Sequence, residues 1–148
     1  MRHIKTSAGF TLIEIILVMA LIGIMSTAVL TLINPVAQFK KSRDVQRKTD
    51  LRQIQSALEL YRADQSAYSD TLPACGASLV VVPATYMQKI PCDPITKNAY
   101  QYVHTIGSST YSLVACLENV KDTQKDATNN STYCTGGNTN WSYTINNP

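Results

Sequence analysis

The sequence predicts an α+β fold: a long amino-terminal α-helix, membrane-spanning in its first half, packed on a small antiparallel β-sheet of about three strands. Three observations carry this prediction. Residues 10–33 read FTLIEIILVMALIGIMSTAVLTLI, an apolar run whose one charge is Glu14. Residues 36–68 then place Leu51, Ile54, Leu58 and Tyr61 at three- and four-residue spacing, with Ala57 beside them. Beyond residue 99, short stretches alternate in the two-residue period of strands. A chain of 148 residues has room for one compact domain plus one long appended element.

At 1.5 Å per residue the first run makes a helix of roughly 36 Å. That crosses a ~30 Å hydrocarbon core with some tilt. A cleaved secretory signal is the bland alternative, since Arg2, His3 and Lys5 resemble a basic leader. The run is longer than usual for such a signal, no small-x-small site ends it, and Glu14 interrupts it. An acid deep in a membrane helix costs roughly 2.5–3.5 kcal/mol, so it should have a partner. No Lys or Arg lies within a helical turn or two of it. A cut between Gly9 and Phe10 would create an α-ammonium one turn away, on this chain or on a neighbouring copy. The plain alternative is a glutamate that snorkels at the interface.

The run Lys5-Thr6-Ser7-Ala8-Gly9, followed by Phe10-Thr11-Leu12-Ile13-Glu14, resembles the processing site of the type IV pilin and type II secretion pseudopilin family. The resemblance implies a pilin-like fold and a prepilin peptidase that cuts after Gly9 and methylates the new terminus at Phe10. It implies that Glu14 pairs with the terminal amine of an adjoining subunit during assembly. The expected organisation is then a cleaved leader at 1–9 and a transmembrane and assembly helix at 10–33. An amphipathic continuation follows at 34–68, and a globular head at 69–148.

Asn34-Pro35 interrupts the helical pattern, because proline lacks the backbone donor and disfavours helix in the preceding residue. Similar prolines in pilin helices allow local melting on packing, so Pro35 is a candidate weak point; a plain helix end followed by a new helix is the alternative. If continuous, the two segments would reach roughly 85–90 Å. Residues 69–98 read as irregular, with Pro73, Pro83, Pro91 and Pro94 as breakers. Strands are expected at 100–106, 111–117 and 141–146, the first two joined by a turn at 107–110. Tyr111, Leu113, Ala115 and Leu117 share one face. The polar segment 118–140 connects the last two strands.

The run Ile90-Pro91-Cys92-Asp93-Pro94, followed by Tyr100-Gln101-Tyr102, resembles the entry to the first strand in major pseudopilins of type II secretion. The acidic, glycine-rich stretch those proteins carry after the middle strand is not obvious here. Some of them bind calcium in the corresponding loop, and Glu118, Asp122 and Asp126 are the candidate ligands here, with Asn129 and Asn130 near them. Their spacing fits no EF-hand, and Lys121 and Lys125 sit among the acids, which favours a solvated loop. Cys75, Cys92, Cys116 and Cys134 form no Cys-x-x-Cys pair, so two disulfides in an oxidising compartment are preferred to a zinc site. Three connectivities are open. Pairing Cys75 with Cys92 and Cys116 with Cys134 is favoured because each then closes a short loop.

The sequence carries 13 basic and 10 acidic residues; without Arg2 and Lys5 the balance is about +1, no argument for nucleic acid. The stretch Lys40, Lys41, Arg43, Arg47, Lys48 and Arg52 is locally basic. It could take DNA phosphates as uptake pilins do, but aromatics to stack bases are absent apart from Phe39. A solvated or fibre-internal face is preferred. By the positive-inside rule the same stretch would place the head in the cytoplasm, against the resemblance. His3 and His104 are the only histidines, so no catalytic pairing can be assembled and no enzyme is expected. No cofactor is implied.

The leading expectation is a structural subunit of a pilus-like filament or a pseudopilus. Its partners would be further copies of itself, the prepilin peptidase, an inner-membrane assembly platform, and lipid before assembly. The precursor would sit in the inner membrane with its head outside the cytoplasm, then pass to an extracellular pilus or a periplasmic pseudopilus. A minor pilin that binds DNA or a surface, and an anchored domain that never polymerises, are the alternatives.

Overall fold

The structure, a computed structural model, describes residues 9–32, 34–135 and 140–148, and leaves aside the side chains of residues 28 and 30–32. Of the leader expected at 1–9, all but Gly9 lies outside the described residues. The chain divides into two compact units, Met1–Val36 and Ala37–Pro148.

The first unit is built on α1 (Leu12–Leu32). Its described apolar side chains are exposed, from Leu12 and Ile13 to Met25 and Val29. The hydroxyls that interrupt the run are turned back on the helix itself. Ser26 Oγ donates to the Ile22 carbonyl at 2.7 Å, and Thr27 Oγ1 to that of Ile24 at 2.8 Å. Such back-bonding satisfies these two hydroxyl donors, which an apolar environment would otherwise penalise.

α2 (Pro35–Gln65) opens on the proline expected to break the pattern. At the first helical position the missing N–H is no loss and the fixed φ is already helical. The helix stops three residues before the expected end at 68. Ser66 takes a left-handed φ of 60° and donates its N–H to the Arg62 carbonyl at 2.8 Å, an αL cap built without glycine.

Five strands form, where about three were expected. β1 (Leu79–Val81) and β2 (Ala84–Met87) make a small antiparallel hairpin inside the region read as irregular. Pro83, read there as a breaker, sits in the turn between them. β3 (Gln101–His104), β4 (Tyr111–Leu117) and β5 (Trp141–Asn146) form the main antiparallel sheet in that order. β3 is shorter than expected. The turn after it is set by Gly107, whose φ of 80° few other residues adopt.

The expected apolar stripe of α2 is the core. Leu51, Ile54, Ala57 and Leu58 pack with Tyr111, Leu113, Ala115 and Leu117 of β4, Tyr143 of β5, Tyr100, Leu79 and Ile90. Tyr61 lies partly buried at the margin, with its ring edge-on to Tyr86 at 5.2 Å. Each fully buried Leu or Ile contributes about 1.5–3 kcal/mol by removal from water.

The opposite side of the sheet is also covered. Val114, Cys134 and Ser142 are buried there, beneath the segment expected to be a solvated loop. That segment closes the open edge of β5. Asp126 N donates to the Ser142 carbonyl, Ser142 N donates to Asn129 Oδ1 at 2.8 Å, and Thr144 N donates to Asp126 Oδ1 at 2.9 Å. Side-chain oxygens thus take donors that a further strand would otherwise take, which protects the edge from pairing with another chain. Trp141 Nε1 donates to the Asp126 carbonyl at 2.6 Å, while Lys125 lies over the Trp141 ring.

Two disulfides staple these layers. Cys75 joins Cys92 and Cys116 joins Cys134, closing loops of 17 and 18 residues. Reducing both is expected to cost about 3 kcal/mol per bridge in the chain-entropy model. Thermal unfolding in a strong reductant, against an oxidised control, measures this. An unchanged midpoint after verified reduction would contradict it.

Candidate functional site

The amino-terminal site is assembled by local capping. Thr11 precedes the first residue of α1, and its Oγ1 accepts the Glu14 N–H at 3.3 Å while its carbonyl accepts Glu14 N and Ile15 N. Thr11-Leu12-Ile13-Glu14 is therefore the Thr-x-x-Glu start of a helix, with the acid in the first turn where the helix dipole favours negative charge. Gly9 and Phe10 lie before the helix and are exposed, Phe10 by 79%. A Cβ built on Gly9 meets nothing within 4 Å, so the local structure does not require glycine there.

The second functional arrangement lies wholly within the unit Ala37–Pro148, and the sequence did not disclose it. The buried face of α2 continues below Leu51 as Arg47 and Asp44, both almost completely buried. Arg47 Nη1 donates to Asp44 Oδ1 and to Glu118 Oε1, each at 2.8 Å, and Nε donates to Asp93 Oδ2 at 2.6 Å. Arg43 grips Glu118 with two parallel bonds of 2.7 and 2.6 Å. Lys48 Nζ donates to Asp122 Oδ1 at 2.6 Å. Asp44 in turn accepts the backbone N–H groups of Glu118 and Asn119 at 2.9 and 2.8 Å. The cations of α2 thus tie the 91–98 loop and the start of the β4–β5 connection to the helix.

Asp93 explains the proline-flanked run at 90–94. Its Oδ1 accepts the N–H groups of Ile95 and Thr96 at 2.9 Å, which shapes the turn, and both of its oxygens face Arg47. Burial alone would raise the Asp93 pKa, but the Arg47 guanidinium and the two N–H groups outweigh it and hold the carboxyl below its ordinary range. Glu118 is lowered first by its bonds from Arg43, against a burial effect, with Arg47 adding to the shift. For Asp122, burial is again overcome by Lys48 and the Gln124 N–H. Asp50 behaves oppositely: burial raises it, and the Tyr100 hydroxyl at 2.7 Å only partly compensates.

These directions fix the response to acid. A carboxyl depressed in the fold stabilises it fully above the unfolded value, about pH 4, and that stability is lost as pH falls through the depressed folded value. Asp93, Glu118 and Asp122 act in this sense, and Asp50 offsets part of the loss. The thermal midpoint of the head is expected to fall as pH drops below about 4. A flat profile in that window would contradict the clamp.

The calcium candidates are not brought together. Glu118 is held by Arg43 and Arg47, Asp122 by Lys48, and Asp126 by Thr144 N and Oγ1 on β5. No group of three or more metal-ligating side chains that could hold a metal ion occurs among the described residues. The basic stretch is likewise not a uniform face for DNA, since Arg43, Arg47 and Lys48 serve carboxylates of the head. Among the described residues no helix is long and apolar enough to cross a membrane.

An apolar helix with an acid in its capped first turn, and a second helix packed on an antiparallel sheet, define a pilin-like subunit. The family described as "Prokaryotic N-terminal methylation motif" matches residues 4–30. The type II secretion system core protein G of Pseudomonas aeruginosa is 31% identical over 110 residues, covering 67% of this chain and 75% of that protein. The protein of the same name from Vibrio cholerae is 29% identical over 113 residues, covering 70% and 75%. That from Escherichia coli K12 is 27% identical over 141 residues, covering 87% and 94%. No solved structure matches at a comparable level. This chain belongs to the type II secretion system core protein G family, the pseudopilins. The choice between pilus and pseudopilus that the sequence left open falls on the pseudopilus side.

Proposed function

We propose that this chain is made as an inner-membrane precursor, cut between Gly9 and Phe10, methylated at Phe10, and polymerised through α1 as a structural subunit of a periplasmic pseudopilus. The observation that carries the reading is one carboxylate, Glu14, in the first turn of a helix that is otherwise uncharged and whose described side chains are exposed. A helix apolar on every side needs an apolar surround, either lipid before assembly or neighbouring copies after it. In that surround the carboxylate needs a cation. A new terminal amine at Phe10 would supply one. Gly9 fits a requirement set by the cutting enzyme, because nothing around it excludes a larger residue.

Two disulfides support a head outside the cytoplasm. Three of the six basic residues, Arg43, Arg47 and Lys48, have a structural role as partners of acids in the second unit. An inner-membrane assembly platform would feed the subunit into the fibre, with Pro35 as the place where the helix can yield on packing. Mass spectrometry of the amino terminus of assembled material tests the reading. A methylated Phe10 is the expected result, and retention of residues 1–9 on assembled fibres would end it.

A further inference from the structure

The three calcium candidates named from the resemblance are already engaged by other partners. Calcium takes six to eight oxygens at about 2.3–2.6 Å from a converging set. Here Glu118 gives both oxygens to guanidinium groups, Asp122 gives Oδ1 to Lys48 and the Gln124 N–H, and Asp126 gives both oxygens to Thr144. The carboxylates that do converge are others. Asp44, Asp93 and Glu118 all bond the guanidinium of Arg47, which stands between them.

We propose that internal cations hold this head in place of a divalent metal: Arg47 fills an Asp44–Asp93–Glu118 cage, Arg43 and Lys48 secure the adjoining connection, and the subunit needs no calcium. The geometry suits a guanidinium. Its nitrogens reach three carboxylates from three chain segments at 2.6–2.8 Å, and Asp44 spends its remaining capacity on two backbone N–H groups. The centre of the cage is buried, with the Arg47 side chain 4% and the Asp44 side chain 1% exposed, while Asp93 and Glu118 at its rim are 14% and 13% exposed. A metal could enter only by expelling a fixed cation that cannot leave the chain. The four acids Asp44, Asp93, Glu118 and Asp122 face three cations, so little negative charge is left to attract a divalent ion.

The test uses the full chain in detergent, with thermal unfolding followed by circular dichroism in chelator, in millimolar calcium chloride, and in sodium chloride of equal ionic strength. The wild-type midpoint is expected to be the same in all three; a rise with calcium and a fall with chelator would overturn the proposal. Arg47→Ala empties the cage, and its lowered midpoint is expected to rise by several degrees with calcium but not with sodium. A folded Arg47→Ala chain indifferent to calcium would overturn the claim that the guanidinium stands in a cation-shaped site. Arg43→Ala leaves the cage filled and must stay calcium-insensitive, so a calcium response there also counts against it, whether or not Arg47→Ala folds.

Discussion

Glu14→Ala is expected to insert in the membrane at least as well as the wild type and yet to yield essentially no fibres. Removing an acid from an apolar helix relieves an insertion cost of roughly 2.5–3.5 kcal/mol. The precursor should therefore accumulate in the membrane fraction without loss. What disappears is the one charge on α1, the proposed partner of a neighbour's terminal amine. Glu14 also sits in the capping turn of α1, so a weaker helix start is a competing cause. The two causes separate cleanly. Thr11→Ala removes the capping oxygen, at about 1 kcal/mol, and keeps the carboxylate. It should still assemble. Glu14→Gln keeps the shape and removes the charge, and should behave like Glu14→Ala. Sheared fibres quantified by immunoblot, beside the membrane pool, measure all three; normal fibre yield from Glu14→Gln would defeat the charge-pairing account.

The parts of this fold legible from sequence were those written in apolar periodicity. The stripe Leu51, Ile54, Leu58 and the alternation Tyr111, Leu113, Ala115, Leu117 announce a helix face and a strand face, and they meet in one core. The same face of α2 runs on to Asp44 and Arg47 at the same three- and four-residue steps. A pattern that counts only apolar residues stops at Leu51 and takes the rest for solvent-facing charge. Only the acids at 93 and 118 make burial of an arginine tolerable there, and these lie 46 and 71 residues away. No local rule connects them.

Two further misreadings have the same root. Pro83 reads as a breaker, and it does end β1, but a turn between two strands is where a break belongs. The acid- and amide-rich segment after Glu118 reads as a solvated loop because its side chains are polar. Those side chains are spent on the backbone edge of β5, where polar oxygens are needed. At the amino terminus the proposed site is read from the motif around Gly9 and Phe10 rather than from the fold. The chemistry proposed there is a cut and a charge pairing between copies, while the capping of Glu14 by Thr11 shows how the carboxylate is placed at the start of α1.

Arg47→Ala is expected to be the most destabilising single change in the charged part of the head, at about 3–5 kcal/mol. The cost comes less from bonds lost than from acids left behind. Asp44 is buried and cannot be hydrated in place, and Glu118 and Asp93 lose the guanidinium that balances their burial. For a unit of this size that corresponds to a drop in thermal midpoint on the order of 10–20 °C. Arg47→Lys should recover only part of the loss. One ammonium keeps the charge but cannot present the planar fork that reaches three carboxylates at once. Arg43 provides the comparison, because its partner Glu118 is shared while its own side chain is 32% exposed. Arg43→Ala should cost about 1 kcal/mol or less. Equilibrium denaturation of the three variants decides the matter: equal losses for Arg43→Ala and Arg47→Ala would mean that the buried clamp is no more than a surface ion pair. A clearly larger loss for Arg47→Ala would place Arg47 at the centre of the polar core that the apolar stripe of α2 becomes below Leu51.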